Sequence, residues 1–465
     1  MADITQSESR IEATSLRAPV PGVLLVFSDH APQYRPVPLK ARGKLTLGRE
    51  DIGGLPVPDG RVGRAHAEVS YEGGEFVITD LGSRNGTFLD GRRFTGTTRA
   101  RAGAVLRLAQ TVLVLHDDLQ RFITGQVRVE DGFVVGPGLQ ESLDLASMAR
   151  RGGMHLLVHG ETGTGKELVA RTYHQAWTPR GPFVPVNASA IQPAMAERVL
   201  FGALRGAYTD AKQDQEGHFA AADGGVLFLD EIAEIDLAVQ PRLLRAAQNG
   251  EVLPIGASTP RTVDVRIVSA SHQNLRARVA DGRFREGLLF RIASSEVTVL
   301  PLRQRYEELP WLMQLALGET PSLPLHATVV EAALLRPWPG NVRDLLRETK
   351  LALQAAQTAT SNAVRAEHLR DHAGQPHDAA PGAASAPPRE RAPAPSPPPG
   401  ATVAMPSEER VAAALTESGG NVSKAAAALG LHRTQLNRLR KRYGLMNKAP
   451  AGTVDEGDDE GDEGA

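Results

Sequence analysis

Between residues 20 and 118 the apolar positions come in short runs: Val23-Leu-Leu-Val-Phe27, Lys44-Leu-Thr-Leu47, His66-Ala-Glu-Val69, Glu75-Phe-Val-Ile78, Val105-Leu-Arg-Leu108 and Val112-Leu-Val-Leu115. Gly, Asp and Asn punctuate them. Short strands at regular spacing, each closed by turn formers, predict a β-sandwich over 18–118. Past residue 125 the pattern changes, and strand-like runs alternate with helical ones up to residue 372. That alternation predicts an α/β core followed by helices. From 373 to 406 the chain turns to Pro and Ala, including Ala392-Pro-Ala-Pro-Ser-Pro-Pro-Pro399, which reads as a semi-extended linker. Residues 407–447 are helical again, and 448–465 form an acidic tail of disordered composition. No internal repeat is present.

Bulk composition narrows the class. The 465 residues suffice for about three domains. Hydrophobic content is 41% and mean hydropathy −0.23, as in a soluble globular chain. Cysteine is absent, which excludes disulfides and cysteine-based metal or redox sites and suits a reducing cytoplasm. Met1 to Ala18 lacks a basic segment followed by an apolar core, and no apolar run approaches the length of a membrane span. A cytoplasmic protein with no membrane partner is expected. The net charge of −2 is an average of unlike parts. The tail Asp455-Glu-Gly-Asp-Asp-Glu-Gly-Asp-Glu463 holds seven acids, and without them the chain carries +5. Just before the tail stand Arg433, Arg438, Arg440, Lys441 and Arg442. This split suggests a nucleic-acid surface beside an acidic tail.

The candidate chemistry lies in the α/β segment. Gly160-Glu161-Thr162-Gly163-Thr164-Gly165-Lys166-Glu167 follows the apolar run His155-Leu-Leu-Val-His159 and precedes the helical pattern Leu168-Val169-Ala170-Arg171. In a strand–loop–helix order, glycines let backbone N–H groups curl around a polyphosphate. Lys166 neutralises it, and the helix N-terminus adds a positive dipole end. ATP is the ligand this predicts. The usual pattern has Ser or Thr after the lysine, and Glu167 stands there instead. About sixty residues later, Gly224-Gly225-Val226-Leu227-Phe228-Leu229-Asp230-Glu231 reads as a buried strand ending in two acids, a separation that fits an α/β ATPase. Such a strand can put one carboxylate on Mg²⁺ and the other on the attacking water.

These motifs line up with a known family. Leu200-Phe201-Gly202, Gly206-Ala-Tyr-Thr-Asp-Ala211, Phe284-Arg285-Glu286, Phe290-Arg291 and Trp338-Pro-Gly-Asn-Val-Arg343 accompany the two above. The set resembles the AAA+ domain of bacterial enhancer-binding proteins, the NtrC-like activators of sigma-54 RNA polymerase, in which Glu follows the loop lysine. The resemblance implies a helical lid on the α/β domain and gives roles by position. Lys166 would hold the β/γ phosphates, Asp230 would support Mg²⁺, Glu231 would polarise the attacking water, and Asn187 would switch that glutamate. Arg285 and Arg291 would reach the ATP of a neighbouring subunit, and Arg343 would be the sensor arginine of the lid. Gly206, Ala207, Tyr208, Thr209, Asp210 and Ala211 would form the sigma-54 loop. An arginine supplied from outside implies a homo-oligomer, expected as a dimer converting to a hexamer-type ring. The sequence departs from the family at three places: Asp210 replaces a glycine, His272 the sensor asparagine and Gly287 an acid.

The flanking segments resemble two further modules. Leu47-Gly48-Arg49, Val62-Gly-Arg-Ala-His66 and Asp80-Leu-Gly-Ser-Arg-Asn-Gly-Thr87 are similar to the forkhead-associated (FHA) domain, a β-sandwich whose loops bind phosphothreonine. Arg49, Arg64, Ser83, Arg84 and Asn85 are the implied phosphopeptide contacts, and His66 is a brace under the loops. Gly63 stands where the family has a phosphate-binding serine, a loss for which Arg64 or Arg61 would compensate. Residues 407–447 resemble the Fis-type helix-turn-helix. Its second helix would present Arg433, Thr434, Gln435, Asn437 and Arg438 to base edges of double-stranded DNA.

The expected protein is therefore multidomain: an all-β FHA-like sandwich, an α/β AAA+ ATPase with helical lid, and an all-α helix-turn-helix. The function implied is an ATP-dependent transcription regulator that binds upstream DNA and remodels sigma-54 RNA polymerase under control of a phosphothreonine-type sensor. The alternative is a DNA-bound, ATP-binding adaptor or repressor that does not engage sigma-54.

Overall fold

The structure, a computed structural model, describes residues 18–40, 43–49, 57, 59–176, 181–208, 212–318, 321–376, 407–418 and scattered positions between 422 and 443. It divides into two compact units, Met1–Pro381 and Gly382–Ala465. The first unit opens with ten antiparallel strands: β1 (Gly22–Ser28), β2 (Ala31–Pro38), β3 (Lys44–Leu47), β4 (Ala67–Glu72), β5 (Glu75–Asp80), β6 (Thr87–Leu89), β7 (Arg92–Phe94), β8 (Thr97–Ala100), β9 (Val105–Leu108) and β10 (Thr111–His116). One sheet runs β2-β1-β10-β9-β6-β7 and the other β3-β4-β5-β8. Val23, Leu25, Leu106, Leu108, Leu113 and Leu115 of the first sheet pack on Leu47, Val69, Phe76 and Ile78 of the second.

A short helix α1 (Gln120–Thr124) and a hairpin, β11 (Arg128–Glu130) and β12 (Phe133–Val135), lead to α2 (Pro137–Arg151). The α/β layer follows. Its strands are β13 (Leu156–His159), β14 (Phe183–Asn187), β15 (Val226–Asp230), β18 (Arg266–Ser271) and β19 (Ser295–Thr298), and its helices include α3 (Lys166–Gln175), α4 (Pro193–Phe201), α5 (His218–Ala221), α6 (Gln240–Asn249), α7 (Leu275–Ala280) and α8 (Glu286–Ile292). A small ribbon, β16 (Glu251–Val252) with β17 (Arg261–Thr262), lies outside the layer. The five strands pair in parallel in the order β14-β15-β18-β13-β19. Continuous apolar strands such as Val226-Leu-Phe-Leu are buried because helices cover both faces of a parallel sheet. Registers fix what meets at the carboxyl edge: Asn187 lies opposite Asp230, Leu229 opposite Ser269, and His159 opposite Ser271. Ligands of open α/β sheets bind at such an edge.

The lid consists of α9 (Leu309–Leu317), α10 (Ala327–Leu334) and α11 (Asn341–Thr358). The outer face of the first sandwich sheet rests on it. Every residue of β1 is buried, since Leu24 and Val26 face away from the sandwich core and join Val112, Val114, Leu309, Leu312, Met313, Ala327, Val329 and Val330 in one cluster. Polar contacts ring this shared core. Arg107 Nε donates to Glu331 at 2.6 Å and stacks on Phe88. Gly91 N–H donates to the other Glu331 oxygen at 3.1 Å. Gln110 bonds the His326 ring and accepts from Ala327 N–H at the start of α10. Across the same joint His30 bonds Leu325 O at 2.7 Å, while Tyr34 of β2 donates to Phe122 O of α1 at 2.8 Å.

In the second unit α12 (Glu408–Glu417) begins after Ser407, and Val411, Ala414, Ala425, Ala426, Leu436 and Leu439 share a small core. Arg433, Thr434, Gln435, Asn437 and Arg438 lie outside the described residues, as do Thr209, Asp210 and Ala211. Among the described residues no helix is long and apolar enough to cross a membrane.

Candidate functional site

The phosphate loop leaves β13 and runs into α3. Gly163 and Gly165 take φ of +80° and +102°, a region open to glycine and costly for other residues. Gly163 has a second reason to lack a side chain: a Cβ there would come within 2.3 Å of Gly340 O in the lid. Thr164 is buried and its hydroxyl donates to Glu161 O at 2.9 Å, closing the loop on itself. Lys166 is 7% exposed. Its Nζ donates to Gly160 O at 3.0 Å and Glu161 O at 3.3 Å and lies 3.8 Å from Glu231 Oε1. A buried ammonium is costly unless it is paired and hydrogen-bonded, so this one gains from an anion brought to the loop. Glu167 points to Arg171 at 2.6 Å, the pair being one turn apart on α3.

The two acids sit where β15 ends. Burial raises the pKa of Asp230, opposed by the Lys166 charge and reinforced by that of Glu231. Such a carboxylate gains from a cation, and one carboxylate beside substrate phosphates is the donor set Mg²⁺ favours. ATP and Mg²⁺ therefore fit the residues present: Lys166 and the loop amides for the phosphates, Asp230 for the metal. Glu231 takes φ +54° and ψ +47°, a left-handed conformation rare outside glycine. Its Oε2 lies 2.6 Å from Nδ1 of His272.

Other predicted residues have partners of their own. Asn187 turns its side-chain oxygen to Ser189, accepting from the N–H at 3.0 Å and the hydroxyl at 2.7 Å, and not to Glu231. Arg291 donates to Ala247 O at 2.8 Å and Gln248 O at 3.3 Å, capping the C-terminal end of α6. Arg285 is exposed at the start of α8, where its N–H is held by Gln240. Arg343 is exposed in the first turn of α11, near enough to Asp230 for its charge to oppose the rise that burial causes in that carboxyl's pKa. Within the described part of the sigma-54 loop, the Tyr208 ring lies under the Arg198 guanidinium at 5.0 Å.

Asn341 has a role that sequence reasoning missed. It is fully buried at φ +51°, accepts from Leu302 N–H at 2.8 Å, and donates to Thr162 O and Glu161 Oε2, each at 3.1 Å. Val342 N–H donates to Gly163 O at 3.0 Å. Arg303 grips Glu161 through two nitrogens at 2.7 and 2.9 Å, holding that carboxyl below its ordinary range. Arg305, fully buried, donates to Thr164 O at 2.8 Å. The loop is thus fastened to the lid at several points. The signal was present in Trp338-Pro-Gly-Asn, but only the fold brings it 180 residues back to the loop.

In the sandwich, Arg49, Arg64, Arg84 and Asn85 are exposed on neighbouring loops, with Ser83 partly covered. Asn85 Nδ2 donates to Arg61 O. His66 is buried. Its Nδ1 accepts from Gly63 N–H and its Nε2 bonds Gly86 O, both at 3.2 Å, so it braces the two loops from below. Burial holds its pKa below the ordinary histidine value.

Comparison with known families adds to this geometry. Residues 135–298 match the sigma-54 interaction domain, 45–109 the FHA domain, and 407–443 the bacterial regulatory protein, Fis family. The chain is 44% identical over 218 residues to the regulatory protein LuxO of Vibrio cholerae, covering 45% of this chain and 41% of LuxO. It is 44% identical over 219 residues to the transcriptional regulator NtrC of Escherichia coli, covering 45% and 46%. It is 38% identical over 318 residues to the acetoin catabolism regulatory protein of Cupriavidus necator, covering 66% and 46%. The matched part thus spans less than half the length of these relatives. A solved structure of NtrX from Brucella abortus in complex with ATP is 26% identical, with a TM-score of 0.47, covering 66% of this chain and 68% of that one. The chain carries an FHA domain, a sigma-54 interaction domain, which is an AAA+ ATPase domain, and a Fis-family helix-turn-helix, in that order, and the relatives it is similar to include NtrC regulators.

Proposed function

We propose that this protein is an ATP-driven transcription regulator that binds upstream duplex DNA and remodels sigma-54 RNA polymerase, and that its FHA domain gates the ATPase by binding a phosphothreonine segment. The observation that carries the reading is the convergence of Lys166, Asp230 and Glu231 at the carboxyl edge of the parallel sheet, in a chain that also holds a Fis-family module. ATP supplies the phosphoryl group, and Asp230 would hold a Mg²⁺ ion whose charge would offset that of the phosphates. Lys166 leaves the loop carbonyls to hold the phosphates. Glu231 orients the attacking water and accepts its proton. Arg285 and Arg291 reach a neighbour's nucleotide in a ring, which requires Arg291 to release the carbonyls it caps in the isolated subunit. Arg433, Thr434, Gln435, Asn437 and Arg438 read the major groove, and the loop Gly206–Ala211 grips sigma-54. On this reading the protein works in the cytoplasm.

Gating is supported by the joint between sandwich and lid. The lid fastens the phosphate loop through Asn341, and the sandwich shares a core with the lid through Arg107, Gln110 and Val112. A phosphopeptide that shifts the sandwich would act on the loop through this shared core and the Asn341 contacts. The test is transcription in vitro with sigma-54 polymerase, ATP and the upstream DNA. ATP-dependent open-complex formation is expected. Normal ATP hydrolysis without it, for both the natural chain and Asp210→Gly, would favour the adaptor or repressor.

A further inference from the structure

His272 follows β18, and the parallel pairing of Leu229 with Ser269 sets the residues beyond β15 and β18 side by side. Its turn is firmly held. Gln273 N–H donates to Ser271 Oγ at 2.9 Å, the Gln273 amide donates to Glu234 at 2.6 Å, and Arg278 donates to Gln273 Oε1 at 2.7 Å. From this fixed turn the ring reaches the Glu231 carboxylate at 2.6 Å. The opposite side of that carboxylate faces Lys166 at 3.8 Å. Asn187 is occupied by Ser189.

Consider what nucleotide binding does to this arrangement. Lys166 turns to the phosphates, so its attraction for Glu231 is shared with a larger negative charge, and the phosphates themselves repel the carboxylate. The Glu231 side chain is 16% exposed and can recover little hydration in place. Its backbone is already in a strained conformation, a cost of about 1–3 kcal/mol that persists only where surrounding groups enforce it. Left to itself, the side chain would rotate toward solvent. The partner that does not move with the nucleotide is His272.

We propose that His272 is a positioning residue for Glu231: its Nδ1–H donates to the Glu231 carboxylate and holds it at the mouth of the phosphate loop. The inference rests on the ATPase reading of the site and goes beyond it by assigning the task to a histidine standing where the family has asparagine. The His272 side chain is 43% exposed, so its loss should leave the fold intact.

The experiment has a ligand-free arm and a kinetic arm. In nitrogen-15 NMR of the nucleotide-free full chain, the histidine whose signal vanishes in His272→Asn should carry its proton on Nδ1 and shift in Glu231→Gln. A ring protonated on Nε2 alone, or one insensitive to Glu231→Gln, overturns the proposal. In steady-state hydrolysis at matched subunit concentration, His272→Ala should lower kcat about tenfold while KM for ATP changes less than twofold. His272→Asn, which places an N–H where Nδ1 stands, should recover most of kcat. In single turnover, adding His272→Ala to Glu231→Gln should change the residual rate less than twofold. A loss smaller than threefold in His272→Ala, no recovery in His272→Asn, or an equal loss in the Glu231→Gln background overturns the proposal. If the natural chain hydrolyses ATP no faster than Lys166→Ala, the ATPase reading itself falls.

Discussion

Lys166 illustrates how one side chain is fitted to a task by its surroundings. A flexible ammonium is buried to 7% exposure, with two loop carbonyls bonded to it and the carboxylates of Glu231 and Asp230 nearby to balance it. Lys166→Ala should abolish binding of a fluorescent ATP analogue, whereas Glu231→Gln should bind it and turn over at least a hundredfold more slowly, about 2.7 kcal/mol of barrier. Equal binding by Lys166→Ala would disprove the assignment of the loop. At the other end of the unit, Gly63 has room for a side chain. A Cβ there would meet Ala65 O at 3.4 Å, an ordinary contact. Gly63→Ser adds a donor beside Arg49 and Arg64, and a hydrogen bond to a charged group contributes about 1.5–3 kcal/mol. Calorimetry should therefore find phosphothreonine-peptide affinity raised about tenfold or more, with the unphosphorylated peptide unchanged.

At the scale of elements, the joint between the sandwich and α10 carries the most consequence. Arg107 and Glu331 are 10% and 6% exposed as side chains, and burial raises the Glu331 pKa against the pull of Arg107. Removing one member of such a pair strands a charge at a cost of about 3–5 kcal/mol. Arg107→Met should lower the urea midpoint followed by tryptophan fluorescence, to which Trp311 and Trp338 of the lid contribute. Arg107→Met with Glu331→Gln together should cost less than Arg107→Met alone. Just before α9 stands Glu307, fully buried, with neither carboxyl oxygen bonded among the described residues. Burial, and then the charge of Glu308, push its pKa from 4.5 up to about 7. Between those two values the folded state binds more protons than the unfolded. Its contribution to stability is complete below 4.5 and is lost as pH rises through 7. Glu307→Gln should therefore gain stability relative to the natural chain between about pH 5 and pH 8, by at most about 3 kcal/mol. His155 and His326, both pushed down to about 4 mainly by burial, act with the opposite sign between 6.5 and 4 and cancel in this comparison.

For the whole molecule, the two units make separable predictions. A chain ending before Pro406 should keep ATP hydrolysis and lose sequence-preferring, salt-sensitive duplex binding, read by electrophoretic shift. Normal operator binding by that truncation would disprove the assignment of the Fis-family module. Much of this division was legible without coordinates. Short apolar runs at regular spacing, closed by turn formers, gave the sandwich, and the glycine loop and the Asp-Glu strand gave the candidate nucleotide site, because each is a local pattern set by backbone geometry. Other features depend on residues far apart in the chain. That β1 is buried on both faces follows from the lid lying on it, and an apolar run reads the same whether one face or two are covered. Asn341 reaches the phosphate loop, Arg107 reaches Glu331 and His272 reaches Glu231 only after the parallel sheet is ordered β14-β15-β18-β13-β19 and the lid folds back over it. Sequence by itself determined which groups the protein possesses and the local shapes that carry them. Tertiary structure decided which of those groups share a hydrogen bond, because side-chain contacts act over about 3 Å whereas the partners lie 41 to 224 residues apart along the chain.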